Sequence, residues 1–414
     1  MATLHPFKGY RPRKDLCSQV AALPYDVMSS AEAREMVKDK PLSFLHVDRA
    51  EVDLPQGTDI YSEGVYKRAA KNLNTLLSNG TYVHDTVPML YIYRLTMDGR
   101  SQTGIVGCCA VDEYLDNTIK KHELTRADKE QDRINHVDYC NANTGPIFLT
   151  YRHREDIDRV VADITANPPE YDFVSDDGVR HEVWLSDEVS VRELMALFKA
   201  VDSLYIADGH HRSASAVKVG LKRRDEKPNY NGEEEFNFFL SVLFPDNQLH
   251  IMDYNRVLKD LNGMDKEEFL SKLSEKFEVE EVNAAFHPTE THTFGMYLEG
   301  RWYRLRAKAE LIHGDEVERL DVSILQNEVF APVLGIGDPR TDKRIDFVGG
   351  IRGLAELERR VDSGEMKLAF AMCPTSVGEL MAIADSGKIM PPKSTWFEPK
   401  LRSGIFIHKL SEEA

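Results

Sequence analysis

Long apolar runs are missing from this chain. No stretch approaches the ~18 consecutive apolar residues of a membrane-spanning helix, and the first residues, Met1 to Pro6, carry no basic flank followed by an apolar segment. Neither membrane insertion nor secretion is expected, and the cytoplasm is the expected compartment. Cysteine is scarce: Cys17, Cys108, Cys109, Cys140 and Cys373 are odd in number, scattered and without a CxxC pair. A disulfide framework and a zinc knuckle are both disfavoured. Basic charge is also short, with 52 Lys and Arg against 69 Asp and Glu for a net charge of −17, and no basic stripe stands out. Nucleic-acid affinity rests on cations that replace counterions along the phosphates, so duplex DNA is not an expected partner. The chain also lacks a GxxxxGK[ST] loop, a kinase-type glycine loop and any internal repeat, so phosphoryl chemistry here would need other machinery.

What remains is an ordinary globular composition, 42% hydrophobic and 29% charged over 414 residues. At about 150 residues per domain, two lobes are the default expectation. Apolar and amphipathic runs alternate throughout, the pattern of a mixed α/β (α+β) protein. Met89 to Leu95 and Thr103 to Val111 read as a hairpin turning at Asp98-Gly99. A helix is expected over Ala127 to Tyr139, and buried strands over Pro146 to Tyr151 and Ser203 to Ala207. A charged helix, Lys266 to Lys276, and a hairpin turning at Glu299-Gly300 open a different texture. The lobe boundary is therefore placed at residues 252 and 253, giving an N-terminal lobe 1–252 and a C-terminal α/β lobe 253–414. The second lobe ends with helices Ile351 to Ser363 and Val377 to Ser386 and strands Met366 to Met372 and Gly404 to Leu410. Between its last two elements lies a proline-rich loop, residues 390–400, expected to fold over the site.

The segment Asp208-Gly209-His210-His211-Arg212-Ser213 follows a buried strand and precedes a small-residue helix start. Glycine lets backbone approach a ligand, the first helical turn offers unpaired N–H groups, and Arg212 brings a fork of donors suited to phosphate oxygens. Two histidines beside an arginine are electrostatically awkward unless something negative sits there. The alternative is a pair of histidines that merely cap a helix or bond within the core. A zinc site is disfavoured, because the spacing is not HExxH and no cysteine lies nearby.

Gly209-His210-His211-Arg212 resembles the GxxR loop of the ParB and sulfiredoxin superfamily. A wider set, His5-Pro6-Phe7-Lys8, Pro24-Tyr25-Asp26-Val27, Lys121-His122-Glu123, the Asp208 to Arg212 loop and Met390 to Lys400, resembles in the same order domain of unknown function family 1015, over nearly the whole chain. The superfamily resemblance implies a ParB/sulfiredoxin-like core with an additional C-terminal α/β lobe. Free L-serine kinases of this superfamily resemble the chain in an Asp-Gly-His-x-Arg loop. That likeness implies transfer of a phosphoryl group from pyrophosphate, ADP or ATP to L-serine, giving O-phospho-L-serine. It implies that Asp208, His210 and Arg212 serve donor phosphate or chemistry. His211 fills the variable position and adds a donor that suits a compact polyanion.

Phosphoryl transfer to an alcohol needs a proton acceptor, cations and usually Mg²⁺. Asp208 is the expected metal ligand. Glu123 is the expected base, with Asp26 as a second candidate; each also reads as a capping or turn carboxylate. Gly209, His210, His211, Arg212 and Ser213, with Lys393, Ser394, Thr395 and Lys400 of the proline-rich loop, are expected to hold phosphate. Arg49, His122 and Thr144 are expected to meet the acceptor. The competing functions are a ParB-like nucleotide-binding, DNA-associated switch, opposed by the acidic charge, and a sulfiredoxin-type repair enzyme, opposed by the lack of a loop cysteine. The expected partners are small molecules only, with the chain a monomer or homodimer.

Overall fold

The computed structural model describes residues 1–411. The chain divides into two compact units: residues 1–121, 125–249 and Pro399 onward form the first, and residues 122–124 and 250–398 the second. This differs from a single cut at 252 and 253, because the chain returns to the first unit after Glu398. The reason is local pairing. Ala22 bridges Ser403, Tyr10 bridges Ile407, and strand His408–Lys409 pairs with Ala142–Asn143. The strand expected over Gly404 to Leu410 is consequently shorter, since Gly404 takes a left-handed φ of 84° that interrupts an extended run.

The first unit is built on an eight-stranded mixed sheet. Its order is Ile119–Lys120, Leu204–Asp208, Ile147–Tyr151, Phe238–Pro245, Arg100–Ala110, Tyr91–Met97, Arg180–Leu185 and Tyr171–Val174. The expected hairpin is present, with Met97 opposite Arg100 and Asp98 and Gly99 both at positive φ, 51° and 76°. Those dihedrals match the twist of two-residue hairpin turns. The central strands are buried on both faces, which explains their unbroken apolar runs. Ile92, Ile105, Leu149, Ile206 and Leu243 meet Ile157 and Ile164 of helix Glu155–Thr165 and Leu194 and Phe198 of helix Glu188–Phe198. A second core gathers Phe44, Val47, Leu73, Leu76 and Ala142 around Ile407.

The second unit carries a six-stranded, wholly antiparallel sheet in the order Phe277–Val282, Arg301–Ala307, Thr293–Leu298, Leu368–Ala371, Tyr254–Leu258 and Ile345–Gly349. Its core joins Val257, Trp302, Val348, Leu357 and Ala369. The helix expected from Ile351 starts at Leu354, because Gly353 takes a φ of 70°. Helix Val377–Asp385 opens on a capping box formed by Ser376 and Glu379. The proline-rich loop is tied into this unit through Trp396–Phe397, which pairs with Ile251–Met252. Trp396 packs so closely on Gly349 that a Cβ there would lie 2.8 Å from the indole. Among the described residues no helix is long and apolar enough to cross a membrane.

The return of the chain into the first unit depends on Gly404. A Cβ there would stand 2.5 Å from Phe44 Cγ, and its backbone is left-handed. Gly404→Ala combines left-handed strain with overpacking and is expected to lower stability by about 3 kcal/mol. A fall in the urea midpoint at unchanged m-value is the signature to look for.

Candidate functional site

Strand Leu204–Asp208 runs antiparallel to Ile147–Tyr151 with a register irregularity between Ile206 and Asp208. The irregularity leaves Asp208 as the last strand residue. Gly209 follows at φ 92°, ψ 31°, and helix His210–Glu226 begins at once. It is the positive φ, rather than crowding, that calls for glycine, since a Cβ would meet Ile147 Cα at an ordinary 3.7 Å. Ser213 N–H already donates to Gly209 O at 2.9 Å. The N–H groups of His210, His211 and Arg212 precede the first acceptor that the helix itself can offer them. Such an end, with the positive pole of the helix dipole, favours an anion.

Two cations stand beside this turn. Lys400 Nζ donates to Asp208 Oδ2 at 2.9 Å, and Gly209 N–H donates to Asp208 Oδ1 at 2.8 Å. Burial by itself would raise the Asp208 pKa, but the charge and hydrogen bond of Lys400, then the charge of Arg212, hold it well below the usual carboxylate range. Arg212 Nη1 donates to Pro146 O at 3.1 Å, and its Nη2 lies 3.5 Å from Asp26 Oδ1. The guanidinium sits 5.5 Å from the Tyr25 ring centre. Burial opposes its charge, yet Asp26, Tyr25 and Asp208 together raise its pKa. Asp208 thus keeps the anionic form that a magnesium ligand requires. Both its oxygens already accept a hydrogen bond, so a metal ion there would have to take the place of Lys400 at Oδ2.

The other sequence-derived candidates divide. His210 is buried, and Ser213 is fully buried with its hydroxyl donating back to His210 O at 3.0 Å. The Ser213 side chain therefore faces the helix's own first turn. His211 Nε2 accepts the Arg126 N–H at 3.0 Å, at the start of helix Ala127–Cys140. That leaves Nδ1 as the donor side of a neutral ring. Arg49 is clamped, with Nε 3.0 Å from Glu51, Nη2 donating to Ser30 Oγ at 2.8 Å and Nη1 to Tyr25 O at 3.3 Å. Its carboxylate partner is internal. Thr144 Oγ1 donates to Asp48 Oδ1 at 2.9 Å. Glu123 and His122 group with the second unit, where Met390 N–H donates to His122 O at 2.8 Å. Lys393, Ser394 and Thr395 belong to that unit as well; the Ser394 hydroxyl donates to Pro391 O at 2.6 Å, and Lys393 O accepts from Arg256 Nη2 at 3.0 Å. Of the four loop candidates, Lys400 alone lies in the first unit.

Sequence reasoning passed over the groups behind Arg212. Asp48, His136 and Arg133 are all buried. His136 Nε2 lies 3.2 Å from Thr144 Oγ1 and 3.4 Å from Asp48 Oδ1. Arg133 bonds Asp132 at 2.8 Å and stacks 4.0 Å from the Tyr25 ring centre, so Tyr25 carries a guanidinium from each of two helices. With Arg212 and Gly145 these residues line a cavity of about 30 Å³, room for a water or two. The one available signal was the three-residue spacing of Arg133 and His136, which puts both on one helical face.

Comparisons with known proteins come to bear on this arrangement. The profile of the family described as "Protein of unknown function (DUF1015)" matches residues 4–323, and the chain belongs to that family. Comparison with curated proteins finds no match. Among solved structures the chain is similar to a conserved hypothetical protein from Pyrococcus furiosus, at 17% identity and a TM-score of 0.36, covering 74% of this chain and 95% of that one. It is similar to a free serine kinase in complex with AMP, at 16% identity and a TM-score of 0.36, covering 73% and 91%. It is also similar to a C-terminally truncated SbnI from Staphylococcus aureus, at 11% identity and a TM-score of 0.38, covering 75% and 90%.

The buried pair sets a pH window for stability. For Asp48, burial alone would raise the pKa, but the hydrogen bond and charge of His136 outweigh it and bring it to about 2. For His136, burial alone would lower the pKa, but Cys140 and Asp48 outweigh it and bring it to about 9. A depressed carboxylate stabilises the fold above its ordinary value of 3.8 and loses that contribution as pH falls toward 2. A raised imidazole stabilises fully below 6.5 and loses its contribution as pH climbs through 9. Urea midpoints should therefore be flat from about pH 4 to 6.5 and fall on both sides. Asp48→Asn, which leaves a buried imidazolium unpaired, should cost about 3 kcal/mol at neutral pH and flatten the alkaline limb.

Proposed function

We propose that the protein is a small-molecule phosphotransferase that phosphorylates the hydroxyl of a free amino acid, L-serine first, with pyrophosphate, ADP or ATP as donor. The observation that carries this reading is the gathering of two cations at the N-terminus of helix His210–Glu226, Lys400 bonded to an ionised Asp208 and Arg212 close enough to lower the Asp208 pKa further. Phosphoryl transfer is catalysed chiefly by positioning and by neutralising charge on the transferred group. A guanidinium fork, an ammonium and helix-end N–H groups supply both. The Asp-Gly-His-x-Arg resemblance of the loop supports the same reading.

In this reading Arg212 grips phosphate oxygens through its planar donors, and Lys400 moves from Asp208 to the donor phosphate. Asp208 would hold Mg²⁺, which would neutralise phosphate charge. Asp208 is a poor base, because a carboxylate held far below its ordinary pKa takes protons weakly. Asp26 is exposed and 3.5 Å from Arg212, and it is assigned the acceptor's hydroxyl proton.

The test is product formation. Purified protein incubated with L-serine, Mg²⁺ and each donor in turn should yield phosphoserine by mass spectrometry with at least one donor. Arg212→Met and Asp208→Asn should each reduce turnover by about 10²-fold or more while the thermal midpoint stays nearly unchanged. Asp26→Asn should lower kcat with KM preserved if Asp26 is the base. Absence of product with every donor would defeat the assignment.

A further inference from the structure

Arg212 owes its orientation to few contacts. Asp26 is largely exposed and 3.5 Å away, and such a pair restrains a side chain weakly. The short directional bond is the one from Nη1 to Pro146 O at 3.1 Å. The position of the fork is therefore inherited from the backbone of residues 143–146, and every residue of that turn is itself held. Asn143 Oδ1 accepts the Leu240 N–H at 3.1 Å. Thr144 O accepts the Gly404 N–H at 3.3 Å, and its hydroxyl donates to Asp48 Oδ1 at 2.9 Å. Gly145 packs so tightly that a Cβ would lie 2.8 Å from Ser403 Oγ. Pro146 brings a fixed φ and restricts the residue before it. A turn this constrained transmits a shift at Thr144 to the Pro146 carbonyl instead of absorbing it.

We propose that Asp48 and His136, acting through Thr144, are positioning residues that aim Arg212 at phosphate. Nothing in the family resemblance assigned either of them. His136 Nε2 lies 3.2 Å from the Thr144 hydroxyl and 3.4 Å from Asp48 Oδ1, so one oxygen of a buried carboxylate serves both the hydroxyl and the imidazole. A buried acid and base are retained against their desolvation cost most readily where they fix a geometry. Here the geometry fixed is that of the turn that holds the fork. The carboxylate also fixes the direction of the Thr144 O–H, which explains why a hydroxyl expected to meet substrate is turned inward. The proposal rests on the phosphate-binding reading of Arg212.

A double-mutant cycle tests it, read by calorimetric binding of pyrophosphate in the presence of Mg²⁺. Thr144→Val keeps the volume of the side chain and removes the hydroxyl; it is expected to weaken pyrophosphate binding about tenfold, and Thr144→Ser is expected to restore it. His136→Gln should weaken binding by a similar factor. In an Arg212→Met background, Thr144→Val should have no further effect, because the residue it aims is gone. A merely structural role would predict a lower thermal midpoint with unchanged affinity, or the same tenfold loss in both backgrounds, and either result overturns the proposal. Pyrophosphate binding by the unsubstituted protein that is indifferent to Thr144→Val rejects positioning alone. No binding of pyrophosphate, ADP or ATP by the unsubstituted protein with Mg²⁺ rejects the phosphate reading and this proposal with it.

Discussion

The site depends on charge compensation at one turn of backbone. Arg212 and Lys400 converge on the end of a strand, and two cations brought together out of water repel each other unless each has a local partner. Asp208 answers Lys400, and Asp26 answers Arg212, with the helix end adding positive potential of its own. The two carboxylates differ in kind. Asp208 is locked by an ammonium and a backbone N–H, whereas Asp26 is exposed and loosely paired.

Behind this surface lies a second, drier layer of charge. Asp48, His136, Arg133 and Asp132 are buried and paired, and Tyr25 lies beside both the Arg133 and the Arg212 guanidinium. The electron-rich ring attracts cations that would otherwise repel each other. The inner layer holds a turn, the turn holds Arg212, and Arg212 meets solvent. The buried charges and the Arg212 fork are thereby linked through one short segment, residues 143–146.

Much of this was legible in the sequence, and for identifiable reasons. Local patterns with a fixed chemistry read well. Asp98-Gly99 and Glu299-Gly300 gave their hairpins because positive φ selects those residues, and the strand, glycine and helix start around Asp208 followed from apolar run, turn residue and small-residue helix. Long-range pairing did not read. Arg49 was singled out one residue away from Asp48, because exposure cannot be told from spacing, and Arg49 turned out to be committed to Glu51 and Ser30. Asp48 and His136 carry no motif, and only folding brings helix Ala127–Cys140 against the short helix Leu45–Asp48. The end of the first unit was misplaced for the same reason, since pairing of residues 399–411 with strands hundreds of positions earlier leaves no trace in local periodicity.

That late pairing has a consequence for how the protein is made. Lys400 and the strand that embraces Asn143 are translated only after the whole of residues 250–398. While that insertion emerges from the ribosome, the first unit stands open along the seam where Phe44 and Tyr10 await their late neighbours. Contacts of such wide sequence separation close slowly. The nascent chain therefore holds Asp208 without its lysine until the second unit has been synthesised, and the Asp208–Lys400 pair forms as a late event in biosynthesis.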